Sequence, residues 1–256
     1  MAELRVFADA DELGRTLAAE VAAAYERSDR PFLLGCPGGR SLRTTYAALE
    51  PRRLDRLVAV LMDEYVPVPS PDAHWSCARF AREEIGAPET WLPDPDEPDA
   101  YERRIAAAGG IDLFLLASGA SDGHVALNGP GSGRASRTRV VELAATTRRD
   151  NLVTFPEFAS LDEVPTHGVT VGLATIADAR ALRLVLHGPD KRAAAARLLA
   201  LDRFDPTWPA SIVHDHPDAQ ILVDRAAHPA SERSPMAEQP NIPVVPDREL
   251  RSSNAR

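Results

Sequence analysis

Four short segments of the 256-residue chain carry side chains whose type and spacing suit chemistry. Ser121-Asp122-Gly123-His124-Val125 sets a carboxylate two residues before an imidazole. A histidine moves protons near neutral pH, and a neighbouring carboxylate orients the ring and stabilises its charged form. The same residues also suit a plain Asp-Gly turn. His124 is a metal-ligand type, but Asp122 and His124 have no further ligand at metal-binding spacing, so no metal is expected. Met62-Asp63-Glu64-Tyr65 brings two carboxylates together. A buried carboxylate there can take a proton from a C–H beside a carbonyl; in the plainer alternative Asp63 caps a loop or helix and Glu64 is solvated. Pro37-Gly38-Gly39-Arg40-Ser41 suits an anion, since Gly38 and Gly39 let a phosphate approach the backbone and Ser41 adds a hydroxyl. A tight turn capped by Ser41 explains it equally well, and it fits neither the P-loop nor the GxGxxG pattern. Lys191, after Gly188-Pro189-Asp190, stands at the start of a helical pattern, where its ammonium and free N–H groups converge on one anion; the alternative is a solvated lysine.

Each of these segments follows closely on an apolar run. The runs Pro31–Cys36, Leu57–Met62, Ile111–Ala117, Val169–Leu173, Leu182–Leu186 and Gln220–Val223 read as strands. Helical spacing marks Asp9–Arg27, Ser41–Leu49, Tyr101–Ala108 and Lys191–Leu201. Continuous apolar strands separated by helices predict an α/β fold with a mainly parallel sheet covered on both faces. Ligands of such sheets bind beyond the carboxyl ends of the strands, which is where the four segments fall.

Composition narrows the partners. The formal net charge is −9, which disfavours nucleic acid and acidic membrane surfaces but leaves room for an anionic small molecule held in a local cradle. Cys36 and Cys77 lie outside any CxxC or Cys/His spacing and read as reduced thiols. No apolar run is long enough to span a membrane and no leader pattern is present, so a cytoplasmic location is expected. Residues 1–228 read as one domain. Residues 229–256, rich in Pro, Ser, Glu and Asn, read as a tail that is poorly ordered or draped on the surface.

Taken in order, Arg30–Gly39 with Thr44-Thr45-Tyr46, Met62–Val66, Asp122–Asn128 with Ser136–Arg139, Val169–Leu173, Gly188–Lys191, and Trp208–Ser211 with His216-Pro217 resemble successive motifs of the glucosamine-6-phosphate deaminase/6-phosphogluconolactonase family. The resemblance runs from about Phe32 to Asp224 and fits the deaminase branch better. It implies a modified Rossmann-like three-layer sandwich, a sugar-phosphate substrate and aldose–ketose chemistry without metal or cofactor, and it makes a homo-oligomer an open expectation. Asp63 corresponds to the base that shuttles a proton between C1 and C2, and His124 to the group that opens the sugar ring. Asp122 would orient His124, while Gly38, Gly39, Ser41 and Lys191 would hold the phosphate. In the lactonase alternative His124 would activate water, and a third alternative is a sugar-phosphate sensor without turnover.

Four departures from the deaminase pattern stand out. Gly129 replaces the glutamate that joins the histidine in ring opening, and Val153 replaces a phosphate-binding arginine, for which Arg40 or Arg149 are candidate substitutes. Val141 replaces an allosteric lysine, and Ala117–Ala120 alters the loop glycines before Asp122.

Overall fold

The computed structural model describes residues 1–50 and 52–232. Its centre is a seven-stranded sheet in the order β1-β10-β9-β6-β2-β3-β5, parallel at each pairing. These strands are β1 (Glu3–Phe7), β2 (Phe32–Cys36), β3 (Leu57–Leu61), β5 (Glu89–Trp91), β6 (Leu113–Ala117), β9 (Leu182–Leu186) and β10 (Ala219–Asp224). A small antiparallel sheet, β4 (Asp63–Val66), β8 (His167–Thr170) and β7 (Arg139–Glu142), sits beside it in the order β4-β8-β7.

Alternation along each central strand feeds two cores. Leu33, Val58, Val60, Phe114, Leu116, Leu182, Leu184 and Leu186 belong to one, while Leu34, Leu57, Ala59, Leu61, Leu113, Leu115 and Val185 belong to the other. A strand buried on both faces must therefore be apolar throughout, which is why these runs are unbroken in the sequence. Helices α4 (Pro98–Ala107), α6 (Leu173–Ala177) and α7 (Arg192–Leu199) cover the first face. The second is covered by α1 (Ala10–Glu26), α2 (Arg43–Leu49) and α3 (Cys77–Phe80). At the head of α1, Asp9 accepts the amide of Glu12 at 2.8 Å, and Leu13, Leu17, Val21 and Tyr25 form its buried stripe. One further helix, α5 (Ala145–Thr154), carries mostly polar residues and buries only Thr147 and Asn151.

The expected strands all form, with one reassignment. The run at Val169–Leu173 supplies β8, which ends at Thr170, joins the antiparallel sheet, and gives way at Leu173 to α6. Strands β1 and β5 complete the central sheet at its two edges, where half-exposed or very short segments carry little periodic signal. Of the expected tail, Pro229–Glu232 form a single 3-10 turn and the remainder lies outside the described residues. No helix among the described residues is long and apolar enough to cross a membrane.

Candidate active site

A cavity of about 690 Å³ opens beyond the carboxyl ends of β2, β3, β6 and β9. Gly38, Gly39, Ser41, Asp63, His124 and Lys191 all line it, and Asp122 stands behind His124. Residues separated by as many as 153 positions thus meet at one site because parallel strands deliver their following loops to the same sheet edge.

The imidazole is held from two sides. Asp122 Oδ1 lies 2.7 Å from His124 Nδ1 and accepts the His124 amide at 3.1 Å. With a carboxylate as its partner, Nδ1 carries the hydrogen and leaves Nε2 as the nitrogen free for another partner. Burial opposes ionisation of Asp122, but the hydrogen bond and charge of His124, together with the Thr146 hydroxyl, outweigh it and hold the carboxyl well below its ordinary range. Between these two residues Gly123 adopts φ +66°, and a Cβ there would meet the Trp208 indole at 2.3 Å, so glycine answers both demands. Behind the loop, the Ala210 amide donates to the Gly123 carbonyl, the Leu127 amide to the Thr170 hydroxyl, and the Asn128 side chain to the Val125 and Val171 carbonyls. The motifs around Trp208 and Val169 therefore brace the histidine loop.

Asp63 begins β4 just past the end of β3 and is 9 % exposed. Burial pushes its carboxyl up from 3.8 to about 7; the Cys77 thiol, 3.5 Å away, and His124 oppose the rise, and Glu64 adds to it. Glu64 itself is not solvated, contrary to the simpler reading of the sequence. It is buried and accepts the amides of Tyr65, Cys77 and Ala78 and the Ser76 hydroxyl, so it ties the start of α3 to β4. A carboxylate so fully engaged is a brace, and Asp63 is the one facing the cavity.

The opposite wall is built from two similar turns. After β2, Gly39 at φ +95° leads into a 3-10 turn, Arg40–Leu42, and then α2; after β9, Gly188 at φ +84° leads into Pro189–Lys191 and then α7. A Cβ at Gly39 would meet nothing within 4 Å, so its glycine serves the backbone angle and leaves the main chain bare to the cavity. The His187 ring, with Nε2 3.1 Å from the Ser41 carbonyl, links the two turns. Lys191 Nζ donates to the Ser118 carbonyl at 2.7 Å, and burial draws its pKa down.

Three further findings bear on the departures from pattern. Gly129 is not among the cavity-lining residues, whereas Val153 is, and it is 66 % exposed. Arg40 lines the cavity; Arg149 is exposed and does not. Asp150, on α5, also lines it, and one oxygen each of Asp122 and Asp150 lies with a ring nitrogen of His124 inside a mutual 4.8 Å. Spacing along the chain shows no further ligand at metal-binding spacing from Asp122 and His124. The packing of α5 supplies a third group, from a helix whose sequence gives no sign of where it docks.

The family described as glucosamine-6-phosphate isomerases/6-phosphogluconolactonase matches residues 8–222. A glucosamine-6-phosphate deaminase of Beutenbergia cavernae is 37% identical over 242 residues, covering 88% of this chain and 91% of that protein. One of Shouchella clausii is 34% identical over 234 residues, covering 85% and 92%. Among solved structures, a monomeric glucosamine-6-phosphate deaminase superposes with a TM-score of 0.79 at 28% identity, over 88% of this chain and 98% of that one. The 6-phosphogluconolactonase of Trypanosoma cruzi, at 19% identity and a TM-score of 0.69 over 89% and 96%, shares the fold. Fold, motif order and overall sequence agree, and the chain belongs to the glucosamine-6-phosphate isomerase/6-phosphogluconolactonase family.

Proposed function

We propose that the protein is an aminosugar-phosphate isomerase of the deaminase kind. The observation that carries this reading is a buried carboxyl, Asp63, with a proton affinity near neutrality, sharing one cavity with the Asp122–His124 pair. A base poised near pH 7 suits proton transfer at carbon, and an oriented imidazole suits proton transfer between oxygens.

Phosphate binding falls to Gly38, Gly39, Ser41 and Lys191, with Arg40 standing in for the cation absent at Val153. Anchored there, the sugar reaches across to His124, which donates a proton to the ring oxygen as the anomeric hydroxyl loses one, giving the open aldehyde. Asp63 then takes the C2 proton and returns it at C1. When C2 bears an amine, the product of that transfer is a C2 imine; water adds to it and ammonia leaves, giving the ketose phosphate. The names of the relatives support the amine. The two free buried thiols support a cytoplasmic setting.

The test is a panel of phosphosugars in deuterated water, read for ammonia, ketose, lactone hydrolysis and carbon-bound deuterium. Ammonia and ketose from glucosamine 6-phosphate, with deuterium on the carbon next to the carbonyl, are expected. Lactone hydrolysis with no deuterium on carbon would replace the reading with a hydrolase, and binding without turnover across the panel would replace it with a sensor.

A further inference from the structure

We propose that Asp150 is the second carboxylate of ring opening in this protein, working opposite His124 on the anomeric hydroxyl of a cyclic sugar. The proposal rests on the reading given under Proposed function. Its starting point is an imbalance around the imidazole. Asp122 has no capacity to spare: Oδ1 serves His124 twice, and Oδ2 accepts from Thr146 and Thr147. Asp150 accepts one hydrogen bond, from the Ser121 hydroxyl to Oδ2 at 3.1 Å, and among the described residues its other oxygen has no hydrogen-bond partner. It faces the cavity from α5.

Distance gives the role. With a carboxylate oxygen within 4.8 Å of an imidazole nitrogen, Asp150 and the His124 ring stand close enough for one bound sugar to present O1 to the first and O5 to the second. Opening the ring takes a proton from O1 as the C1–O1 double bond forms, breaks C1–O5, and delivers a proton to O5 as that oxygen receives the bonding pair. With Asp150 accepting the O1 proton and protonated His124 donating to O5, both transfers occur without an intermediate of net charge on the sugar. The proton on Asp150 then passes to solvent and His124 takes one up from it, and the site is reset.

The position matters because this chain has a glycine at 129, where the motif it resembles has a glutamate, and position 129 does not line the cavity. The same three groups have the composition of a metal site, but Asp122 would have to surrender its bonds to His124 or to the threonine hydroxyls to become a ligand. A proton-transfer role leaves every existing bond in place.

Asp150→Asn keeps the size and can still accept from Ser121, while losing the carboxylate. On glucosamine 6-phosphate its kcat is expected to fall about 100-fold, the scale of one general acid or base. Carbon-bound deuterium exchange on an analogue lacking the C4 and C5 hydroxyls, which cannot close a ring on C1, is expected to stay within about twofold of wild type. Asp150→Ala should behave alike, and thermal midpoints for both variants establish that they fold. Equal losses on the cyclic and ring-incapable substrates would overturn the proposal in favour of a structural role for Asp150. So would unchanged kcat on the cyclic substrate, or a wild-type rate that chelator abolishes and added divalent metal restores. If wild type itself neither labels carbon nor releases ammonia, the functional reading falls and takes this inference with it; parity of Asp150→Asn with an active wild type removes the inference alone.

Discussion

Asp63 and Asp122 both feel the His124 imidazole, yet their surroundings push them in opposite directions. Asp63 is buried beside the Cys77 thiol with, among the described residues, no ion-pair partner, and burial raises its carboxyl to about 7. Asp122 is just as inaccessible, but it receives the His124 ring, the His124 amide and two threonine hydroxyls, and it remains ionised. Burial is common to both, so it is the partner set that decides. A carboxyl with only a weak thiol donor can exchange a proton near neutrality, whereas one saturated with donors can only position its neighbour. The first does chemistry at carbon and the second fixes a ring.

The sharpest way to break that contrast is Asp63→Asn, which keeps the shape and loses the base. Deuterium exchange at carbon and ammonia release are expected to fall by three orders of magnitude or more while phosphosugar binding persists. Exchange at the wild-type rate would remove Asp63 from this role. The same variant has an opposite effect on stability. In the folded protein Asp63 keeps its proton up to about pH 7, whereas the unfolded chain releases it near 3.8. Between those values the native state binds more protons, so this group's contribution to stability declines as pH rises from about 4 to 7. At pH 8 Asp63→Asn should therefore be more stable than wild type, by on the order of a few kcal/mol, and the gain should vanish at pH 4. Thermal midpoints at the two pH values measure it.

Asp122→Asn tests the other carboxylate. Losing the charge leaves His124 without the partner that fixes its tautomer, and turnover on the cyclic substrate is expected to drop between tenfold and 1000-fold, with the pH profile of kcat displaced. Exchange at carbon on a ring-incapable analogue should change far less. An equal loss on both substrates would mean that Asp122 supports the whole cavity rather than the ring.

The contrast also shows what could be read from the sequence. Asp63 and His124 are legible because each closely follows an unbroken apolar run, and the end of a parallel strand is where a ligand meets the chain. The buried state of Glu64 was not legible, since its partners Cys77 and Ala78 belong to a four-residue helix with no periodicity to reveal it. The antiparallel pairing of β8 was equally hidden, because an apolar run does not state which strand it will meet. Asp150 lies in the stretch Thr146-Thr147-Arg148-Arg149-Asp150-Asn151, whose polar residues look like a solvated helix. Only the docking of α5 over the His124 loop turns one edge of it toward the cavity.

Lys191→Ala carries the comparison to the opposite wall, where effects should be smaller and of another kind. Removing one cation from a cradle that retains Arg40 and the glycine backbone should raise KM for phosphorylated substrates about tenfold or more and lower kcat little. Its ammonium is tied to the Ser118 carbonyl on the histidine loop, so a modest kcat loss would show that this tie also steadies the loop. An unchanged KM for every phosphorylated substrate would exclude Lys191 from phosphate binding.

The smallest effect is expected at Gly129, and it bears on both sides of the comparison. Its φ is not positive, and a Cβ there would make an ordinary contact with Ala144 at 3.7 Å, so Gly129→Glu should fold. If ring opening lacked a second carboxylate, adding one would raise turnover of glucosamine 6-phosphate substantially. With Asp150 already serving, the gain in the wild-type background should stay below about threefold, within the scatter of a near-neutral substitution. Placed in the Asp150→Asn background, the same glutamate should restore the lost rate only as far as its side chain reaches the cavity, which position 129 itself does not line. A tenfold gain in the wild-type background would show that the site does lack a carboxylate and that Asp150 is not performing its task. Rescue confined to the Asp150→Asn background would show instead that one acidic group opposite His124 is sufficient, whichever element delivers it.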